Sequence, residues 1–429
     1  MFRNAVRIGL LTLAVLFVAN VGLTPSTDAA EASRLIKVVV DGKSISLSTA
    51  LQLVKGRLLV PYSEVVAGLG GKVSWDQKTK TVKAVKGNIT VAYTAGSSTA
   101  YINNEKRTLE SAPVSLNNTT FVPLRFLAQS FGMWVRWDGN KKQVTISSTL
   151  TVQTKVGPLT LNKVPQRIVT LSSSDTEIVA ALGGHIVGRA TALGKVYPPE
   201  AASIPEVGST HGINFETLAA LKPDLVIGSP SLQPQAATIE KLGARMLLNS
   251  HNVFEEIKNS IRLYGEVLGK EEEAEKLIKG MDGRLKKVMQ SPPLNKPKTL
   301  ILYGAPGSFV VALPSSYPGN FLLLAGGNNV AADFPKMDTM PQYAEFSMER
   351  IVAADPDVIY LITHGDPVEV KASFKKELES NPAWKNLGAV KTSQFEVLPN
   401  DLFAANPGLR APDAITYLNE LLLQVKISK

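Results

Sequence analysis

ADPDVIYLITHGDP, residues Ala354 to Pro367, reads as a helix end, a Pro-Asp turn, an apolar run from Val358 to Ile362, and a histidine followed by glycine. A mostly apolar run of that length between turn signals predicts a buried, parallel strand. Ligands of open α/β sheets lie beyond the carboxyl ends of such strands. His364 therefore stands where a ligand would be. A related unit lies upstream: NFETLAALKPDLVI, from Asn214, aligns without a gap with SMERIVAADPDVIY, from Ser347, at an offset of 133 residues. The alignment pairs Glu216 with Glu349, Pro223 with Pro356 and Asp224 with Asp357. A second His-Gly pair, His211-Gly212, borders the earlier unit. Two similar units, each beside a His-Gly, predict two α/β lobes facing one cleft.

The sequence around the units extends the pattern. Arg167 to Leu171 reads as a buried strand, Asp175 to Leu182 as a helix stopped by Gly183-Gly184, and Ile186 to Gly188 as the next strand. That order is a βαβ unit with a right-handed crossover. Ser172, Ser173 and Ser174 are read as a helix start rather than as nucleophiles, since no partnering base accompanies them. Val253 to Gln290 is helical almost throughout, with apolar residues three or four apart and a break expected at Gly269. After the prolyl link Ser291 to Lys298, Thr299 to Tyr303 opens the second lobe. A helical region between two lobes makes a stiff hinge.

The preceding part of the chain differs in kind. RLLVPYSEVVAGLGGKVSWD, from Arg57, aligns with TTFVPLRFLAQSFGMWVRWD, from Thr119, at an offset of 62. Each copy predicts a strand into Val-Pro, a short helix, a glycine turn and a hairpin beginning at a tryptophan. Trp75 and Trp137, recurring at one repeat position, are expected in the core. Asp76 and Asp138 are expected to serve the turns that follow. The resulting division is a leader at 1–32, a two-repeat α+β module at 33–150, a connector at 151–165, a first lobe at 166–252, a linking helical region at 253–290 and a second lobe at 291–429. The module carries its own core pattern, so a chain starting near Thr151 is expected to fold and bind ligand unaided.

Arg3 and Arg7, then the apolar Ile8 to Leu23, then small residues through Ala32, have the composition of a secretory signal. The expected location is extracytoplasmic, in the cell envelope or secreted. There is no cysteine among the 429 residues, which excludes disulfides, metal–thiolate sites and a diacylglycerol anchor. The net charge of +9 favours an anionic envelope or an acidic ligand. The basic residues are dispersed without interleaved aromatics, so no nucleic-acid partner is expected.

Residues 165–429 resemble the ABC-transporter solute-binding proteins whose lobes are bridged by one long helix, and which take haem, cobalamin or ferric siderophores. The marks are RIV followed by SSSDTEIVAALG, IPEVGS, the paired Pro-Asp units, LGKEEEAEKL and LLLAGGNNV. The stretch Leu302 to Val330 and the segment around ITHGDPVEV resemble in particular the haem receptors of Gram-positive iron-regulated surface systems. Residues 35–148 resemble the copper amine oxidase N-terminal-like stalk domain, on the repeated Val-Pro and Trp-Asp marks. That likeness implies no oxidase activity, only a spacer or a link to cell-envelope polymers.

The haem-receptor likeness implies an axial iron ligand at His364 and a second at the place held here by His211, where that receptor has methionine. Neutral imidazole suits haem iron. Of the other histidines, His185 reads as a loop residue and His251 as one without a visible partner. Tyr303, Phe309, Val310, Tyr317, Met340 and Tyr343 are candidate walls of a haem slot, with core packing the alternative for each. Lys195, with Tyr197, is a candidate for the propionates. Met337 or Met340 would be the substitute if His211 is not the second ligand. A siderophore or cobalamin pocket, and a bare metal site joined by Asp366, remain as alternatives. No nucleophile–base pair, phosphate loop or cofactor motif points to an enzyme. The family likeness also implies that Glu216 and Glu349 dock onto a dimeric membrane permease. Helix stabilisation is the plainer role for acids in a first helical turn.

Overall fold

The computed structural model describes residues 36–426 except 55–56, 80, 95, 110, 118, 193, 210–211, 306, 365 and 381. The leader read at 1–32 lies outside the described residues. Among the described residues no helix is long and apolar enough to cross a membrane. The chain forms two compact units, one centred on Lys43–Leu124, the other on Thr145–Lys429 together with Val40–Gly42 and Arg125–Trp137.

In the first unit the two Val-Pro strands, Arg57–Pro61 and Thr119–Pro123, pair antiparallel with Val60 opposite Val122. A duplicated element thus meets its copy at the repeat's own marker. The helix Tyr62–Gly68 buries Tyr62, Val65 and Val66, and Tyr62 meets Tyr93 edge to face with ring centroids 5.6 Å apart. Five strands form a sequential antiparallel meander: Lys72–Asp76, Thr81–Lys86, Ile89–Thr94, Thr99–Ile102 and Glu105–Thr108.

Both turn aspartates act as read. Asp76 accepts from the amides of Lys78 and Thr79, and Asp138 from those of Asn140 and Lys141. The core assignment of the tryptophans is corrected: Trp75 is 50% and Trp137 52% exposed. Both lie on edge strands, which have a neighbour on one side only and leave a large ring half open.

The second unit contains both lobes. In the first lobe four parallel strands run in the order Ile186–Arg189, Ile168–Thr170, Leu225–Gly228, Arg245–Leu248. In the second, Lys298–Ala305 lies parallel to Val358–Thr363 and antiparallel to Ser308–Ala312. Tyr343–Glu345 and Phe395–Val397 form the margins. The connector is a hairpin of Leu150–Thr154 and Gly157–Leu161.

The helical region divides at Gly269, whose φ of +64° closes the helix Phe254–Leu268 before Glu271–Met289 begins. Only glycine holds that left-handed position without strain. The two helices run back along each other, joined by Lys258–Asp282 and Arg262–Glu275 ion pairs. The 19-residue helix Glu271–Met289 leads into the second lobe.

The end of Phe254–Leu268 is closed by residues of the second repeat. Lys270 N–H bonds to Gly265 O and Gly269 N–H to Glu266 O, a Schellman closure that leaves later carbonyls open. The Trp134 indole donates to Val267 O at 2.9 Å, Gln129 to Gly269 O at 2.9 Å and Arg125 to the same oxygen at 3.3 Å. Arg136 pairs with Glu266. The helix C-terminus carries partial negative charge, so the cations are placed favourably. In the first repeat these four positions are Ser63, Ala67, Lys72 and Ser74.

Candidate functional site

Every residue of the strand Val358–Thr363 is buried, so the chain must surface where the strand stops. His364 N–H donates to Gly304 O at 2.7 Å, holding the turn against the neighbouring strand, while its ring is exposed. Asp366 Oδ1 accepts from Val368 N–H at 2.7 Å and starts the helix Pro367–Ser380. Asp366 is thereby engaged as a helix cap.

The imidazole is oriented by Tyr303. Its Nδ1 lies 3.2 Å from the Tyr303 hydroxyl, and the two rings lie 5.9 Å apart at 31°. Tyr303 donates its one proton to Ala404 O at 2.6 Å. Toward His364 the hydroxyl can therefore only accept, which makes Nδ1 the donor. In the neutral ring Nε2 is then left with a bare lone pair. A hydrogen bond of this kind fixes the tautomer and the direction of a metal-binding imidazole.

Other aromatics gather on the same side of the sheet. Tyr343 lies 5.8 Å from Tyr303 between ring centroids, and the Tyr317 hydroxyl donates to Phe403 O. Burial pushes the phenols of Tyr303, Tyr317 and Tyr343 above their ordinary range, so each stays protonated at neutral pH. Phenolate ligation would first require removing such a proton; Nε2 of His364 needs no such step. Val310 is the cross-strand partner of Tyr303. Met340 is 40% exposed, and its carbonyl accepts from Tyr343 N–H. Met337 N–H in turn donates to Tyr343 O.

Phe309 stands one residue from Val310 and so faces the opposite side, among Phe346 and Phe374. That is a core environment. Lys195 is exposed. Tyr197 instead lies under the Arg410 guanidinium at 3.7 Å, a cation–π pair. Among the described residues no group of three or more His, Asp or Glu could hold a metal ion.

His211 lies outside the described residues. Beside it, Gly208–Ser209 pairs with Gly212–Ile213. Asn214 caps the helix Phe215–Ala220 by accepting from Thr217 N–H, and Ser347 caps Met348–Ala354 by accepting from Arg350 N–H. Glu216 and Glu349 both fall in the first turns of these helices and are exposed.

His251 is the residue that sequence reasoning missed. It is 8% exposed, with Nε2 2.8 Å from Ser174 Oγ and Nδ1 3.3 Å from Ser260 Oγ. Tyr264 and Ser172 donate to Asp175 beside it. The His251 carbonyl accepts from Asn406 of the second lobe at 2.6 Å, and Arg410 pairs with Glu177 at 3.3 Å. This polar cluster joins the lobes. No local signal marks it, because its members lie far apart in sequence. His185, read as a loop residue, is exposed and contacts Gln166 O.

Comparison with known proteins bears on this arrangement. Residues 39–146 match the copper amine oxidase N-terminal domain. High-affinity heme uptake system protein IsdE of Staphylococcus aureus is 29% identical over 263 residues, 61% of this chain and 88% of that protein. The crystal structure of S. aureus IsdE complexed with heme is similar with a TM-score of 0.54 at 28% identity, covering 60% of this chain and 98% of that one. An ABC transporter substrate-binding protein from Listeria monocytogenes gives a TM-score of 0.53 at 30% identity, with the same coverage. Residues 168–402, more than half of the chain, match the periplasmic binding protein model, and the chain belongs to that family.

Proposed function

We propose that the protein is the extracytoplasmic solute-binding component of an ABC importer, and that it captures haem with His364 Nε2 as one axial iron ligand. The observation that carries this reading is the Tyr303 contact, which commits Nδ1 and leaves Nε2 bare at the end of a buried strand. Likeness to IsdE, whose name states heme uptake, supports haem as the cargo. His211 supplies the second axial ligand in this reading. Tyr303, Tyr343, Val310 and Met340 offer ring and apolar surface for the porphyrin, and Lys195 a cation for a propionate. Delivery to a dimeric permease uses Glu216 and Glu349, one on each lobe. No catalytic step is assigned to the chain.

The test is titration of the full chain with haemin. A sharp Soret band with six-coordinate, low-spin features is expected, lost or converted to a five-coordinate spectrum in His364→Ala. His211→Met should keep binding and raise the reduction potential, since methionine favours ferrous iron relative to imidazole. An unchanged spectrum in His364→Ala defeats the ligand assignment. Absence of a Soret band, with uptake of a ferric siderophore, cobalamin or bare metal instead, defeats haem as cargo. Glu216→Ala with Glu349→Ala should leave the Soret band intact while haem-dependent transport falls sharply.

A further inference from the structure

The five-stranded meander of the first unit has a covered face and an open one. Val82, Ala84, Val91, Tyr93 and Ala100 are buried on the covered side. Strand alternation sends their neighbours to the other side. Register shows what lines that side: Ser74 pairs with Lys83, Lys83 with Ala92, Ala92 with Tyr101, and Tyr101 with Lys106. Cross-strand partners share a face, so one row crosses all five strands, a width of about 19 Å at the usual strand spacing. Beside it run hydroxyls, with Thr81 opposite Thr94 and Thr99 opposite Thr108.

Cations outnumber acids on this face. Lys72, Lys83 and Lys106 are exposed, and their register partners are Val85, Ser74 with Ala92, and Tyr101, none of them acidic. Asp76, opposite Thr81, places one acid at the rim of this face, where the Lys78 and Thr79 amides engage it. Glu105 points to the other face and pairs with Arg107 at 2.7 Å. The face thus carries Lys72, Lys83 and Lys106 against Asp76, while Lys86 and Arg107 fall on the covered side.

We infer that this open sheet face docks a linear polyanion with a hydroxylated backbone, of the chemistry that poly(glycerol phosphate) represents. The lysines are distributed across the sheet, Lys72 and Lys83 on its first two strands and Lys106 on its fifth, which suits charges repeated along an extended chain and not one compact anion. Threonine hydroxyls can bond to backbone oxygens, and Tyr101, 44% exposed, offers one flat apolar surface. A nucleic acid would call for several stacking aromatics in a basic groove, and this face has one. The inference does not depend on the cargo of the lobes.

Retention of the full-length protein on immobilised poly(glycerol phosphate) tests it, with neutral dextran and single-stranded DNA as parallel arms. Binding to the polyanion alone is expected, weakening steeply with salt. The pair Lys83→Glu and Lys106→Glu should lower affinity at least tenfold, and Lys83→Gln with Lys106→Gln should lower it less. The glutamine pair should also reduce the log–log salt slope, by about one for each lost contact. Tyr101→Ala should weaken binding several-fold, while haemin titration is unchanged in all variants. No retention of the wild type, undiminished retention of both lysine pairs, or equal retention on DNA would each overturn it.

Discussion

His364 and His251 both follow a parallel strand of the second unit, Val358–Thr363 and Arg245–Leu248, yet their rings are in opposite situations. Ser260 gives its proton to Glu256 O at 2.9 Å, so it accepts from His251 Nδ1–H, and Nε2 then accepts from Ser174. Both nitrogens are committed. His364 commits one nitrogen to Tyr303 and keeps the other. A strand end therefore supplies a place for a ligand, but the partners of the ring decide whether it can bind one.

The sharpest way to break this contrast is to remove each ring in turn. His364→Ala should abolish the six-coordinate haem spectrum and leave thermal stability nearly unchanged, because the ring is exposed. His251→Ala should do the reverse. It leaves a void and takes one partner from each of two buried serine hydroxyls, at a cost of about 2–4 kcal/mol, with the Soret maximum unmoved. Urea unfolding and haemin titration on the same two variants give the four numbers. Should His251→Ala shift the Soret band while leaving stability alone, the roles are exchanged.

Tyr303→Phe probes the tautomer with one atom. It removes the acceptor of Nδ1–H together with the bond to Ala404, and keeps the ring. Loss of such a partner lowers metal affinity about 10–100-fold, so haem dissociation should speed by that order. Nitrogen-15 chemical shifts of the ligand-free protein separate this from a packing defect. Wild-type His364 should be the Nδ1–H tautomer, and the variant a mixture. A wild-type Nε2–H tautomer would remove the basis of the assignment whether or not haem binds.

Much of this was readable because it is local. The Pro-Asp units, the strand ending in His364, the break at Gly269 and the turn aspartates each depend on residues within one short window. His251 was opaque because Ser174 lies 77 residues away. Tyr303 was recognisable as a wall, but its role as an acceptor depends on Ala404, 101 residues on. Phe309 and Val310 cannot both wall one slot, because adjacent strand residues face opposite sides.

The repeat misled in a more instructive way. The marks its copies share are Val-Pro and Trp-Asp, yet both tryptophans are half-open edge residues. The differences carried the information: Arg125, Gln129, Trp134 and Arg136, in place of Ser63, Ala67, Lys72 and Ser74, are what closes the helix end at Gly269. A chain begun at Thr151 lacks all four and uncovers Val267. The expectation that it folds as well as the whole therefore gives way to one of reduced stability, and Trp134→Ala should reproduce most of the loss while Lys72→Ala costs little.

The smallest expected effect is on pH, and it returns to the contrast of the two rings. Burial lowers the His251 pKa below its ordinary value, with Lys155 acting in the same direction, while the charges of Asp175 and Glu256 oppose it. In the unfolded chain the group titrates near 6.5. As pH falls through that value the unfolded state takes up the proton first, so the stability conferred by neutral His251 is present above about pH 6.5 and is lost progressively below it. Glu177 has the opposite sign: burial raises its pKa, so the folded state holds a proton that the unfolded state has released. Its contribution is present below the ordinary glutamate range and is lost as pH rises through the folded value. His251→Gln keeps a donor and an acceptor but cannot charge. Between pH 7 and pH 5 the wild type should therefore lose more urea stability than the glutamine variant, and the difference isolates His251 from Glu177, which both proteins share. Equal losses in the two proteins would mean that the buried ring takes up its proton as readily as one in water. The contrast with His364 would then rest on exposure alone.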